Sequence, residues 1–196
     1  MAIQIGFVGT GGIANTHFDA LSQLSEAQLV AFCDIDAARA ERAAARFNGR
    51  AYTDWRTMLE RESLEALYLC LPPHGHDGVE LEAAARGIHL FVEKPVARTL
   101  DYAHQVADAI QKAGILSMVG YHFRYYGAIE RAKEHLQGLP VLLVKGAWEG
   151  GMPGVPWWRQ HAHSGGQLVE QTTHIFDLAR HLAGEITEVF AFSHNN

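Results

Sequence analysis

The stretch Ile3-Gln4-Ile5-Gly6-Phe7-Val8-Gly9-Thr10-Gly11-Gly12-Ile13-Ala14 decides the fold. Its first six residues are a β-rich apolar run that passes directly into G-x-G-x-x-A, the turn that opens a helix in parallel α/β folds. Gly9 permits the tight turn, Gly11 lets a pyrophosphate approach the backbone, and Ala14 allows close packing of helix on sheet. The helix N-terminus then faces the phosphates, with Thr10, Gly12 and Ile13 completing the expected cofactor-binding set. A tight β-to-α turn without ligand is the bland alternative.

Further β-rich runs follow at Leu29–Cys33, Ala66–Leu71, Ile88–Val92 and Ile115–Val119. Between them Asp36–Phe47, Gly75–Arg86 and Leu100–Ala113 repeat apolar residues at three- and four-residue spacings, as helices covering a sheet require. This βαβ rhythm predicts a doubly wound α/β domain over residues 1–120. After Gly120 the rhythm changes. The sequence predicts a helix from Tyr125 to Leu136, a strand from Val141 to Trp148, a Gly/Pro/Trp-rich loop from Glu149 to His163, a helix from about Gln167 to Leu182, and a strand from Ile186 to Phe192. Residues 121–196 are therefore expected to be the first part of a second, substrate-binding domain.

The second strand ends in Cys33-Asp34-Ile35-Asp36, at the roughly 20-residue distance past the glycines where an acid accepts hydrogen bonds from a ribose. Asp34 is the better candidate and would repel a 2′-phosphate, so NAD is expected over NADP, although Arg39 keeps NADP open. Asp36 reads as the cap of the next helix. Two more segments reach the carboxyl edge of the sheet, where ligands bind in open α/β folds: Leu71-Pro72-Pro73-His74-Gly75-His76 and Phe91-Val92-Glu93-Lys94-Pro95. A lysine beside a nicotinamide could polarise an alcohol or carbonyl oxygen, and Lys94 is placed for that; a solvated surface lysine is the alternative.

The glycine turn, Glu93-Lys94-Pro95, Gly120-Tyr121-His122-Phe123-Arg124 and the run from Gly165 through Glu170 and His174 to Asp177 occur in the order of one family. The chain resembles the glucose–fructose oxidoreductase/inositol dehydrogenase (Gfo/Idh/MocA) family over essentially its whole length. The resemblance implies a Rossmann domain followed by an α+β domain with an open antiparallel sheet, whose face commonly forms the contact of a dimer or tetramer. It also implies hydride transfer between a nicotinamide cofactor and a sugar, polyol or related hydroxy compound. In that family the lysine sits at the nicotinamide and the histidine is the general acid/base, roles that fall on Lys94 and His174. His76, Glu93, Arg124, Trp158 and Arg159 are implied to lie near the cofactor or substrate, with Leu71 and Pro72 beside them. The family commonly has an aspartate where Glu170 stands and a glycine where Thr172 stands, and these departures bear on the substrate.

Read physically, Glu170 and His174 are four apart on one expected helix and would share a face, where the carboxylate could orient substrate hydroxyls or tune the imidazole. Two other functions keep the same cofactor: NAD-dependent glycoside hydrolysis through transient oxidation and elimination, and a non-catalytic NAD-binding regulatory module.

Composition narrows the partners. Hydrophobic residues make up 48% of the 196, and the net charge of −6 is spread without a basic run, so a small molecule is expected rather than nucleic acid. The two cysteines, Cys33 and Cys70, end apolar runs and read as small hydrophobes. His74-x-His76 and His161-x-His163 fit no standard zinc spacing, so no metal is expected. No apolar run reaches the roughly 20 residues that span a bilayer, and a cytoplasmic location is the default expectation.

Overall fold

A computed structural model describes residues 2–192. Six strands form one parallel sheet: β1 (Ile3–Val8), β2 (Ala27–Cys33), β3 (Arg50–Tyr52), β4 (Ala66–Leu69), β5 (His89–Val92) and β6 (Ser117–Val119). Their order is β3-β2-β1-β4-β5-β6, so the strand order reverses between the parallel neighbours β1 and β4 and opens a crevice at their carboxyl ends. Five helices cover this sheet: α1 (Gly12–Leu21), α2 (Ala37–Phe47), α3 (Trp55–Arg61), α4 (Val79–Ala85) and α5 (Leu100–Ala113).

Alternation along β1 feeds two cores. Ile5 and Phe7 pack with Phe18 of α1 and Ala43 and Ala44 of α2, whereas Val8 joins Met58 and Leu59 of α3 and Val79, Ala83 and Ala84 of α4. Phe18 is 1% exposed and meets Phe7, Phe32 and Phe47 edge-on with ring centroids 4.6–5.4 Å apart. These contacts fix α1 against the strand that delivers the glycine turn. Asp36 caps α2 as expected, accepting from the N–H groups of Ala38 and Arg39.

Two elements of the sheet are not legible as apolar runs. Arg50–Tyr52 is short and partly polar, and it is held because the Glu62 carboxylate, 2% exposed, accepts from Arg50 and Tyr52. The Asp54 side chain starts α3 by accepting from the N–H groups of Arg56 and Thr57. The helix expected from Gly75 begins only at Val79, after a 3-10 turn at Pro73–Gly75.

Beyond β6 lie α6 (Gly127–Leu136), α7 (His161–Ser164), α8 (Gly166–Glu170) and α9 (Thr173–Ala183), with 3-10 turns at His122–Tyr125 and Pro156–Arg159. The single helix expected over Gln167–Leu182 is two, because the backbone leaves the helix at Gln171 (φ −110°). The expected antiparallel sheet is not formed among the described residues. Val141–Trp148 and Ile186–Phe192 are unpaired there, since a strand exists only by pairing and neither segment meets a ladder partner. Residues 193–196 of the expected second domain lie outside the described residues. No helix among the described residues is long and apolar enough to cross a membrane.

Candidate active site

The glycine turn has the shape a dinucleotide needs. Gly9 adopts φ +88°, and a Cβ there would lie 2.3 Å from the carbonyl oxygen of Cys70, so only glycine fits. A Cβ on Gly11 or Gly12 would meet nothing within 4 Å, which leaves open space in front of the backbone. No side chain caps the N-terminus of α1 and its first turn holds no acid, so the helix presents uncancelled N–H groups to that space. Ile13 is 41% exposed beside it.

Asp34 is buried at the end of β2. Its Oδ2 accepts from the backbone N–H (2.9 Å) and hydroxyl (3.1 Å) of Thr10, and its Oδ1 accepts from the N–H of Asp36 (3.0 Å). The carboxylate therefore holds the glycine turn in place while standing beside it. Cys33 and Cys70 are free and buried as expected, and burial pushes the Cys33 thiol up to about 12.

At the ends of β4 and β5 the expected residues have separate partners. Leu71 packs against the core, and Pro72 precedes the 3-10 turn that carries His74. His76 is turned inward: its ring is 2% exposed and its Nδ1 bonds the fully buried Glu80, whose other oxygen accepts from the Tyr102 hydroxyl at 2.7 Å. The buried Nε2 of His76 has no partner among the described residues. Burial works against the charge of Glu80, but the bonds from His76 and Tyr102 outweigh it and hold the carboxyl below its ordinary range. Glu93, 4% exposed, accepts from His17 Nε2 of α1 at 2.8 Å and from the Lys94 N–H at 3.1 Å. The glycine-turn helix and the lysine turn are thus joined by one carboxylate.

Lys94 crosses to the second part of the chain. Its Nζ donates to the Glu170 backbone carbonyl at 2.9 Å and to Glu170 Oε1 at 2.5 Å. The other carboxylate oxygen of Glu170 accepts from Trp158 Nε1 at 2.8 Å. Glu170 closes α8 and His174 lies in the first turn of α9, so the break at Gln171 replaces the single helix face expected for the pair. The carboxylate goes to Lys94 and Trp158 and makes no hydrogen bond to His174.

The His174 ring is 3% exposed and sits among aromatics, stacked on Phe123 at 4.4 Å and Trp148 at 5.8 Å with His122 edge-on at 5.1 Å. Its Nδ1 is buried without a hydrogen-bond partner among the described residues. Burial, the Lys94 ammonium and His122 together push the imidazole down to about 4. The base form therefore prevails throughout the neutral range. Arg124 forks onto Asp177 of α9, with Nε 2.8 Å from Oδ2, and this pair ties the 3-10 turn after β6 to the helix carrying His174. Tyr121 and Thr173 bond at 2.8 Å in the same place. Arg159 is exposed, apart from the cluster's hydrogen bonds.

Lys94, Glu170 and Trp158 are thus joined directly, and His174 is close enough for the Lys94 charge to depress it. His17, Glu80, Tyr102 and Asp177 were not singled out from sequence. Their partners stand up to 76 residues away, and the one local signal was the four-residue spacing of His76 and Glu80.

Residues 3–121 match the model of the oxidoreductase family with an NAD-binding Rossmann fold, and residues 140–196 match the Gfo/Idh/MocA C-terminal domain. The chain belongs to the Gfo/Idh/MocA family. It is 27% identical over 195 residues to myo-inositol 2-dehydrogenase of Thermotoga maritima, covering 96% of this chain and 58% of that protein. Among solved structures, the WlbA dehydrogenase of Bordetella pertussis in complex with NADH and UDP-GlcNAcA superposes with a TM-score of 0.84, 25% identity, and coverage of 93% of this chain and 56% of that one. Levoglucosan dehydrogenase in complex with NADH and levoglucosan gives 0.79, 25%, 94% and 55%. The chain spans about half the length of the curated relatives it matches, 56% and 58% of the first two.

Proposed function

We propose that this chain carries the cofactor half and the first catalytic elements of an NAD-dependent dehydrogenase acting on a hydroxyl-bearing carbon of a sugar or polyol. The carrying observation is the convergence of the Lys94 ammonium, the Glu170 carboxylate and a neutral, buried His174 at the carboxyl edge of a sheet with an uncapped glycine-turn helix. The relatives' inositol and sugar chemistry supports the same reading.

Gly9, Thr10, Gly11, Gly12 and Ile13 would cradle the pyrophosphate and Asp34 the adenosine ribose, with NAD preferred because a 2′-phosphate would face that buried carboxylate. The bound nicotinamide supplies a two-electron hydride acceptor or donor. An ammonium has three donors, and Glu170 engages two of those on Lys94, so the third remains for the substrate oxygen. His174 takes the hydroxyl proton while that N–H stabilises the charge left on oxygen. Glu170 acts on the reaction through Lys94 and is a positioning residue. The remaining contacts, His17 to Glu93 and Arg124 to Asp177, hold the two catalytic groups on their elements.

Calorimetric titration with NAD+, NADH and NADP+, followed by NADH formation across a sugar and polyol panel, tests the proposal. Binding of NAD(H) with turnover that falls about 10²–10⁴-fold in His174→Phe supports it. Cofactor binding without turnover of any substrate would leave a non-catalytic module instead.

A further inference from the structure

Beside the cluster lies a pocket of about 150 Å³ lined by Trp148, Met152, Pro153, Trp158, Gln167 and Gln171, with two glycines completing the wall. It adjoins the chemistry on two sides, since Trp148 also stacks on His174 and Trp158 also bonds Glu170. None of its lining side chains carries a charge. Gln167 donates to the Trp148 carbonyl at 3.2 Å, which leaves its amide oxygen and one N–H. The Gln171 side-chain amide has no hydrogen-bond partner among the described residues, and the break between α8 and α9 is what brings this residue to the wall.

We infer that this pocket is a subsite for a neutral, single-ring polyhydroxy substrate and disfavours sugar phosphates, sugar acids and nucleotide sugars. The inference rests on the dehydrogenase reading above and narrows its substrate class. Hydroxyl groups donate and accept, and a primary amide does both, so two glutamines match a diol. Phosphate and carboxylate only accept and call for arginine or lysine, which the wall lacks. Indole rings offer apolar faces to the C–H side of a sugar ring. The volume is about half the lower end of the roughly 300–1,000 Å³ typical of drug-sized ligands, which suits a single ring.

The test is saturation-transfer NMR on the NADH-loaded chain with inositols, neutral hexoses and pentoses, glucose 6-phosphate, glucuronate and UDP-glucose, with NADH formation from NAD+ followed separately. At least one neutral ring is expected to bind tenfold or more tightly than every charged probe, and Trp148→Ala, checked by circular dichroism, should weaken it tenfold or more. Gln171→Lys should move the preference toward glucose 6-phosphate without disturbing the core. Equal or tighter binding of a charged probe, indifference to both substitutions, or binding of no sugar overturns the inference. Turnover of a charged sugar overturns it while leaving the dehydrogenase reading intact. Neutral binding without NADH formation keeps the subsite and removes the dehydrogenase reading.

Discussion

Acidification should destabilise this chain through His174, and the size of the effect follows from its surroundings. The folded imidazole is held down to about 4 by burial first and then by the neighbouring Lys94 ammonium and His122, whereas an unfolded histidine titrates near its ordinary 6.5. Between those values the unfolded state binds the extra proton, so stability rises with pH through that window and is lost as pH falls through it. At about 1.4 kcal/mol per pKa unit, His174 costs about 2 kcal/mol between pH 7 and pH 5 and about 3 kcal/mol by pH 4. His74 and His181, also held below their ordinary range first by burial, add to the total slope. The His174→Phe substitution keeps a ring in the stack with Phe123 and Trp148 and removes the titration. Urea midpoints measured from pH 7 to pH 4.5 should therefore fall more steeply for the unaltered chain than for the variant, by about 2 kcal/mol at pH 5. Superimposable pH profiles would refute the argument and place His174 in contact with water or a carboxylate.

The other expectations concern backbone, network and cofactor. Gly9→Ala must drive a methyl into the Cys70 carbonyl at φ +88°, and thermal melts should show a loss of more than about 2 kcal/mol together with loss of NAD binding. Glu80→Ala should cost about 3–5 kcal/mol in urea denaturation because the His76 ring and Tyr102 hydroxyl lose their buried acceptor, whereas Tyr102→Phe should cost only about 1 kcal/mol. Asp34→Ala should weaken NAD+ more than NADP+ in calorimetry, since it removes the group facing a 2′-phosphate; equal losses would mean that its role is confined to holding Thr10.

The Rossmann half was legible because each buried strand between helices must read as an apolar run, and Ile3–Val8 and Leu100–Ala113 appear in the structure with the expected bounds. Arg50–Tyr52 was not, because its stability comes from Glu62 ten and twelve residues on rather than from its own apolarity. The helix break at Gln171 left no proline to announce it, although Gly165 and Gly166, both at positive φ, set the preceding start. Lys94 could be singled out by its place after a strand, and Glu170 and His174 through the family resemblance, yet the choice Glu170 makes between its neighbours depends on a backbone turn that periodicity does not encode.

The bond from Lys94 to Glu170 joins a strand-end loop of the cofactor sheet to a helix reached only 76 residues later. Separating the two parts would strip a mostly buried cation of its counter-ion and leave the anion bonded to an indole alone. The Lys94 ammonium is therefore held by docking: its ion pair exists only while the turn after β5 and the end of α8 stay in contact, so the seam between the two parts also sets where that charge stands.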